Sequence, residues 1–414
     1  MTAYDPLPQV TIGGVTYTSK TINGITTTSG RTTVDEQPRP GYATISLIVV
    51  DNTFPAIELN QPGYVEVNDS AGVPTKVFYG YVTDVTRQIT NHGVSGTEVT
   101  VNVTLVGALS RLSRVETAAS YPKEFDGERI EQILTDFAST DWTEVDPALT
   151  WGTVPADRTW LTFDQGAFVG TVDTPGSYEI TAYSSGATSA LAHAQLVALS
   201  ALGVLWEDQD GLINYSDAAS RINDVAQNGF TTIEADYLAG IGLASRSSTA
   251  ELINDITISY KSTAVETGED LASQFTYGRF AGQKATLLEN KADAETMVDL
   301  YLQTRAYPRT TMQTVTVVLH NPNLPDVLRD ALLNAYIGLP VAIPNPPTAI
   351  LNSPFAGFLE GISYTVARKA AAVTLTLSEY ALSQIEQAWQ QVLSTEQWNT
   401  LTPTLTWENA EVVS

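Results

Sequence analysis

Alternation of apolar and polar residues predicts β-structure in the amino-terminal part of this chain. Between residues 98 and 105, every second residue is apolar: Val99, Val101, Val103 and Leu105. Period-two alternation of this kind places one face of a strand in a core and the other face outward. Similar segments and turn residues recur through residues 9–115, which are therefore predicted to form an all-β module.

Four strand-like segments of this module recur in the same order roughly 275 residues later. The first set covers residues 44–49, 62–67, 78–84 and 98–105. The second set covers residues 314–319, 339–343, 358–363 and 372–377. Two copies are too few for a solenoid, so the repetition predicts two similar β modules joined by a long insert.

The apolar spacing between the two sets becomes helical. Four residues share one face of a predicted helix over residues 126–137: Ile130, Ile133, Leu134 and Phe137. A second, more apolar helix is predicted over residues 190–202, beginning after Ser189 and ended by Gly203. Further helices are predicted over residues 294–305, 325–336 and 382–398.

The insert also contains strand signals. Asp210 and Gly211 form a strong turn signal inside a hairpin predicted over residues 204–215. Another strand pair is predicted between residues 166–171 and 177–182. The pattern leaves open whether residues 222–250 return to the first module or belong to the insert.

Composition narrows the classes of function. The chain has 414 residues and a formal net charge of −25, from 21 basic and 46 acidic residues. A surface this acidic repels nucleic acids and anionic membranes. The absence of cysteine excludes thiol catalysis and cysteine-based zinc sites. The longest apolar stretch, at residues 190–206, is too short and too polar to span a membrane, and the amino terminus lacks the features of a signal peptide.

The candidate chemistry is sparse. None of the three histidines, His92, His193 and His320, lies in a recognisable catalytic or metal-binding motif. An acidic cluster of Glu207, Asp208 and Asp210 has three interpretations: a solvated hairpin tip, calcium ligands, or the paired carboxylates of a cell-wall glycosidase. A carbohydrate-binding insert over residues 155–188 is a further alternative.

Two tryptophan-bounded segments share their spacing. Residues 142–151 and 398–407 both begin and end with tryptophan and match at an internal Pro, Leu and Thr. The first interpretation is a pair of linkers in which tryptophans pack on a neighbouring surface: Trp142, Trp151, Trp398 and Trp407. The second is a strap that docks on another subunit.

The order of these segments resembles the tail-hub family of long-tailed phages and contractile injection machines. The resemblance rests on the following groups of residues: 30–47, 78–80 with 99–105 and 109–112, 125–137 with 188–211 and Asn214, and 357–361 with 373–377. Residues 30–47 look like the start of minor tail proteins from siphophages of actinobacteria. Each motif is weak alone, whereas their order is more specific.

The resemblance implies a mainly β fold with an α+β insert. Two tail-tube-like β-barrels related by internal duplication would occupy residues 1–115 and 251–380. A small α/β insertion domain would occupy residues 116–221, followed by a return segment or linker at 222–250. A helix and tryptophan-containing tail would occupy residues 381–414.

The resemblance also implies a role that is structural and not enzymatic. Three subunits would form a homotrimeric hub at the distal tip of the virion tail, adapting the six-fold tube to a three-fold central fibre. Its partners would be a distal tail or tube protein, a central fibre or receptor-binding protein, and genomic DNA in transient, non-specific passage. No cofactor, metal or membrane anchor is implied.

Four residues are predicted to shape the two barrels. Gly80 and Gly361 interrupt strand patterns, where glycine is typical of a bulge or a close backbone approach. They are expected at matching bulges, with Phe78 and Phe358 as their structural neighbours.

Overall fold

The computed structural model describes most of the chain. The described residues are 4–50, 55–93, 96–117, 120–139, 169–184, 186, 188–239, 243–351 and 353–380. The predictions for the helix over residues 382–398 and for Trp142, Trp151, Trp398 and Trp407 lie outside these residues.

The first β module is antiparallel throughout, and the sequence order differs from the order in the sheet. Strand β4 pairs with β7, β7 with β6, β6 with β5, and β5 with β1. The predicted alternation in β7 is confirmed, because Val101, Val103 and Leu105 are fully buried while Asn102 is exposed. The strands are β1 Gln9–Ile12, β2 Val15–Thr18, β3 Ile22–Gly30, β4 Arg39–Val49, β5 Pro62–Asn68, β6 Pro74–Gly93 and β7 Gly96–Val106.

The second β module has the same connectivity in its four repeated strands. Its first strand pairs with the fourth, the fourth with the third, and the third with the second. The strands, numbered within the whole chain, are β18 Thr310–Val318, β19 Pro340–Ile343, β20 Phe355–Ala367 and β21 Ala370–Glu379. The helix predicted between the first two is confirmed as α7, Asp326–Leu333. That the modules arose by duplication stays a prediction.

Within the described ranges, one ladder joins the two modules. Strand β3 pairs antiparallel with β20, and Gly30 lies opposite Gly361. The result is one 13-stranded sheet with β2 at one end and β14 (Ala244–Ser247) at the other. Strand β13 (Thr231–Thr232) pairs with β19, and β14 pairs with β18. Residues 222–250 therefore contribute strands to the second module, an option that the sequence pattern had not indicated.

The insertion consists of short helices and strands between β7 and β13. The helices predicted over residues 126–137 and 190–202 and the hairpin over residues 204–215 are confirmed. The elements are α1 Leu109–Leu112, β8 Glu124–Phe125, α2 Asp126–Ser139, β9 Val169–Val172, β10 Glu179–Ile180, α3 Ala190–Ser200, β11 Val204–Glu207, β12 Ile213–Ser216 and α4 Ser220–Asn228.

The strand pair predicted between residues 166–171 and 177–182 is wrong. Strand β9 pairs in parallel with β12, whereas β10 pairs with β8. The segment between β9 and β10 explains this different pairing, because it packs over the first residues of α2. There the buried Asp126 carboxylate accepts hydrogen bonds from Tyr178 N at 2.7 Å and Tyr215 Oη at 2.5 Å.

The two ends of α3 can be compared with the predicted capping residues, Ser189 and Gly203. Ser189 caps the helix by accepting a hydrogen bond from Ala192 N, as predicted. The left-handed residue after the helix is Leu202 (φ 56°), not Gly203. Glycine is needed at position 203 for a close approach instead, because an added Cβ would lie 2.4 Å from Tyr215 Oη.

Among the residues that the structure describes, the buried apolar side chains form two clusters. One lies within the joined β modules. The other combines the insertion with a three-stranded sheet and its covering helix at residues 255–305. These elements are β15 Asp255–Tyr260, β16 Ala264–Glu269, α5 Leu271–Tyr277, β17 Ala281–Ala285 and α6 Lys291–Arg305. The segment 255–305 thus shares its core with the insertion, while the domain boundaries above stay predictions.

Candidate functional site

The acidic hairpin of the insertion lies where the insertion meets both β modules. Its turn is held by the Asp208 carboxylate, which accepts hydrogen bonds from Asp210 N and Leu212 N, both at 2.9 Å. Gly211 adopts φ +81°, and an added Cβ would lie 2.4 Å from the Tyr79 ring. The predicted Asp210–Gly211 turn therefore also fits closely against strand β6.

Glu207 binds the first β module through both carboxylate oxygens. Oε1 accepts a hydrogen bond from Gly41 N at 2.5 Å, and Oε2 accepts one from Leu109 N at 2.8 Å. Gly107 permits this approach, since an added Cβ would lie 2.0 Å from Glu207 Oε1. Burial raises the pKa of Glu207 to about 7. The carboxylate is thus enclosed by backbone and is unsuited to reach a polymeric substrate.

The neighbouring residues of the hairpin reach further across the junction. Gln209 Nε2 donates hydrogen bonds to Leu333 O at 2.9 Å and Ala335 O at 3.2 Å, both in the second module. Asp210 pairs with Lys76 of the first module at 2.6 Å. The hairpin therefore holds both modules, and this geometry favours an architectural role for the acidic cluster over the glycosidase hypothesis.

A buried charge cluster lies at the ladder that joins the modules. Glu360 accepts hydrogen bonds from Arg31 Nε at 2.6 Å, Arg221 Nη1 at 2.6 Å and Ser378 Oγ at 2.6 Å. Arg31 follows β3, Arg221 belongs to α4, and Glu360 and Ser378 belong to the second module. One carboxylate thus links the first module, the insertion and the second module.

The electrostatics of this cluster depend on complete pairing. Burial alone would raise the pKa of Glu360, but Arg221 and Arg31 hold it well below its usual range. Burial lowers the pKa of Arg31, and Glu360 opposes that effect. Buried ion pairs add little net stability when intact, whereas loss of one partner is costly. We therefore expect the cluster to favour this one arrangement of the three parts.

The predicted barrel residues lie in the sheet as follows. A register shift between β20 and β21 falls between Leu359 and Gly361, so Glu360 is the extra residue there. Gly80 lies in a regular stretch of ladder opposite Gly63, and an added Cβ would be 2.7 Å from Val106 O. The two glycines thus differ locally, with a bulge beside Gly361 and a close backbone approach at Gly80.

The two predicted phenylalanines are buried. Phe78 is paired with Val65 of β5 and borders the hairpin. Phe358 packs its ring under the Arg221 guanidinium, whose central carbon lies 5.2 Å from the ring centroid. Whether these four residues govern assembly of subunits stays a prediction.

His193 packs inside the insertion, beside the Arg129 guanidinium. The His193 ring lies 4.3 Å from the Tyr183 ring and 5.5 Å from the Tyr121 ring, measured between centroids. Its Nε2 lies 3.4 Å from Arg129 Nη1. Burial, aided by Arg129, lowers the pKa of His193 to about 4. The geometry is that of a neutral core residue.

This burial predicts a pH dependence of stability. The folded pKa of His193 is depressed from 6.5 to about 4, so its contribution to stability is lost as pH falls through that window. We expect the chain to lose about 2 kcal/mol between pH 7 and pH 5 that a His193→Gln variant retains. Urea unfolding of both proteins at the two pH values measures this difference. Parallel losses would contradict the assignment.

Two classes of site are missing from the described part of the chain. No group of three or more carboxylate or imidazole side chains there is arranged to hold a metal ion. Among the described helices, none is both long and apolar enough to cross a bilayer.

Sequence reasoning missed the central residues of the junction. Arg31, Arg221 and Glu360 were not singled out, and neither were Gln37 and Gln209. One signal was available: Glu360 interrupts an otherwise apolar run in residues 355–362, and a charge in such a run requires a buried partner. No local pattern identifies Gln37, although it accepts a hydrogen bond from Leu205 N at 3.1 Å.

Comparison with solved structures identifies similar folds. The crystal structure of the 43 kDa tail protein of prophage MuSo2 from Shewanella oneidensis aligns with a TM-score of 0.58 at 12% identity, covering 92% of this chain and 98% of that one. A tail protein from Neisseria meningitidis MC58 aligns with a TM-score of 0.60 at 11% identity and the same coverage.

The chain has the fold of these tail proteins. Identities this low carry the fold alone, which is the mainly β architecture that the resemblance implied. No protein-family model matches the chain. No curated protein matches it either.

Proposed function

We propose that this chain is a structural protein of a phage tail. The observation that carries the proposal is the alignment over nearly the full length of both chains with two tail proteins, one of which comes from a prophage. The junction agrees with it, because buried polar residues there join the modules through hydrogen bonds to one another and to the backbone.

In its finer form, the proposal is a homotrimeric hub at the distal tip of the tail. The hub would adapt a six-fold tube to a three-fold fibre and form part of the conduit for DNA. The two ends of the sheet support assembly into a closed ring. Within the described residues, strands β2 and β14 end the sheet with one neighbouring strand each. Unpaired edges of this kind favour pairing with another chain.

The charge of the chain is compatible with a conduit. Three copies, each carrying −25, would give a ring of about −75. Acidic residues along the lumen would let DNA pass without adhering. Neighbouring tail proteins would be a distal tail or tube protein above the hub and a fibre or receptor-binding protein below it.

Purified protein provides the test of this role. We expect light scattering to give three times the monomer mass of 44.6 kDa, and negative-stain images to show rings with a central opening and a pseudo-six-fold outline. A folded chain that stays monomeric across concentrations typical of assembly would contradict the trimeric hub. Rings of another symmetry would contradict the adaptor role while leaving the tail assignment standing.

A further inference from the structure

A second group of charged residues lies next to the Glu360 cluster, around a cavity of about 60 Å³. The cavity lies between the segment after β3, the end of α3 and helices α4 and α6. Its charged lining residues are Arg31, Asp35, Arg221 and Arg305. The apolar walls come from the insertion core and α6: Leu199, Leu202, Ala218 and Leu300.

Each carboxylate at this cavity is shared between two cations. Glu360 pairs with Arg31 and Arg221, and Asp35 pairs with Lys284 at 3.2 Å and Arg305 at 2.6 Å. A guanidinium that shares its carboxylate retains donors for a further acceptor, which points to an anionic ligand.

Two of the guanidinium groups retain donors for such a ligand. Arg31 uses Nε for Glu360 and Nη1 for Val34 O and Glu36 O. Arg305 uses Nη1 for Asp35. Among the described residues, Nη2 of Arg31 and Nη2 of Arg305 have no hydrogen-bond partner, and the Arg31 side chain is only 5% exposed. A planar guanidinium with spare donors matches the oxygens of an oxyanion.

We propose that this cavity binds one small tetrahedral oxyanion, such as inorganic phosphate or sulfate, between Arg31 and Arg305. The cavity volume of about 60 Å³ is large enough for an ion of this size, since the same space would hold roughly four ordered waters. Arg31 follows β3 of the first module, and Arg305 ends α6. A bound oxyanion therefore ties these two parts together and stabilises the folded chain, independently of any role in a tail.

Calorimetric titration of the full chain with phosphate tests the proposal. At fixed ionic strength set with sodium chloride, we expect saturable binding of one phosphate per chain and a thermal unfolding midpoint that rises with phosphate concentration. Sulfate should act in the same way. No saturable heat up to about 10 mM phosphate, or an equal rise of the midpoint with added chloride, would overturn it.

Matched arginine variants assign the binding to this cavity. Arg305→Gln should weaken phosphate binding at least tenfold, while Arg305→Lys, which keeps the charge and the pairing with Asp35, should give an intermediate affinity. Arg279→Gln is the control, because Arg279 also pairs with an aspartate, Asp255, but its side chain is 71% exposed and lies outside the cavity lining. Unchanged affinity in both Arg305 variants, or equal weakening in the control, would overturn the assignment.

Discussion

Replacement of Glu360 by glutamine is expected to lower the free energy of unfolding by about 3–5 kcal/mol. The variant keeps the size and the hydrogen-bonding shape of the side chain but removes the carboxylate that Arg31 and Arg221 share. Glu360 and the two arginines are almost completely buried, so water cannot replace the lost charge. Guanidinium chloride unfolding at pH 7 measures the change.

An exposed ion pair of the same junction supplies the control. Asp210 pairs with Lys76 at 2.6 Å, with the two side chains 64% and 39% exposed. Asp210→Asn is therefore expected to cost about 0–1 kcal/mol. Equal losses in the two variants would show that burial and pairing at Glu360 are not what holds the junction. An unchanged unfolding curve for Glu360→Gln would lead to the same conclusion.

The difference between these two ion pairs explains how the chain assembles its parts. An exposed pair adjusts to many arrangements of its partners, because water solvates whichever charge is released. A buried carboxylate with two guanidinium partners tolerates one arrangement only. Since its partners come from the first module and the insertion, Glu360 selects how the second module sits against both.

Local structure was predictable from the sequence because it depends on neighbouring residues. The alternation at Val101, Val103 and Leu105 marks a strand whose inner face is fully buried. The apolar spacing of Ile130 and Ile133 marks α2 for the same reason. The hairpin around Asp210 and Gly211 follows from turn chemistry. Each of these signals lies within about ten residues of the chain.

Pairing between distant segments was not predictable in this way. Strands β9 and β10 look like a local pair, yet each finds its partner elsewhere, in β12 and β8. The ladder between β3 and β20 joins residues more than 300 positions apart. The neighbouring contact between Arg31 and Glu360 likewise joins residues that are 329 positions apart in the sequence. Such contacts depend on which surfaces remain after local folding, and periodicity carries no information on that choice.

The role of residues in the candidate site was also not predictable from their residue type alone. Glu207 was recognised as an unusual residue, but its residue type alone fits an acid catalyst, a cation ligand or a buried hydrogen-bond acceptor. Its surroundings decide, since both oxygens accept backbone hydrogen bonds from Gly41 and Leu109. Gly41 and Gly107 carry the complementary information, because each leaves space for that carboxylate.

Replacement of Gly30 by alanine is expected to disrupt the ladder between the two modules and to cost about 3 kcal/mol. Gly30 adopts φ +95°, and an added Cβ would lie 2.3 Å from Glu360 O and 2.7 Å from Gly361 Cα. The left-handed conformation contributes about 1–2 kcal/mol of strain to a residue with a Cβ. The clash adds to it, because the atoms in contact are backbone atoms that a rotamer change cannot move.

Gly72→Ala separates these two effects. Gly72 has a similar φ of +83°, but an added Cβ there would meet no heavy atom within 4 Å. The control should therefore show the conformational strain alone, about 1–2 kcal/mol. Equal losses in the two variants would contradict a steric role for the Gly30–Gly361 approach.

Hydrogen exchange locates the damage. In Gly30→Ala, amides in the paired stretch between Ile25 and Gly30, and in the facing stretch of β20 that begins at Gly361, should lose protection. Amides of Val101 and Val103 in β7 should keep theirs, since that strand pairs within the first module. Uniform loss across all these strands would mean that the first module depends on the second for its folding, and that the ladder at Gly30 is not a separate joint between them.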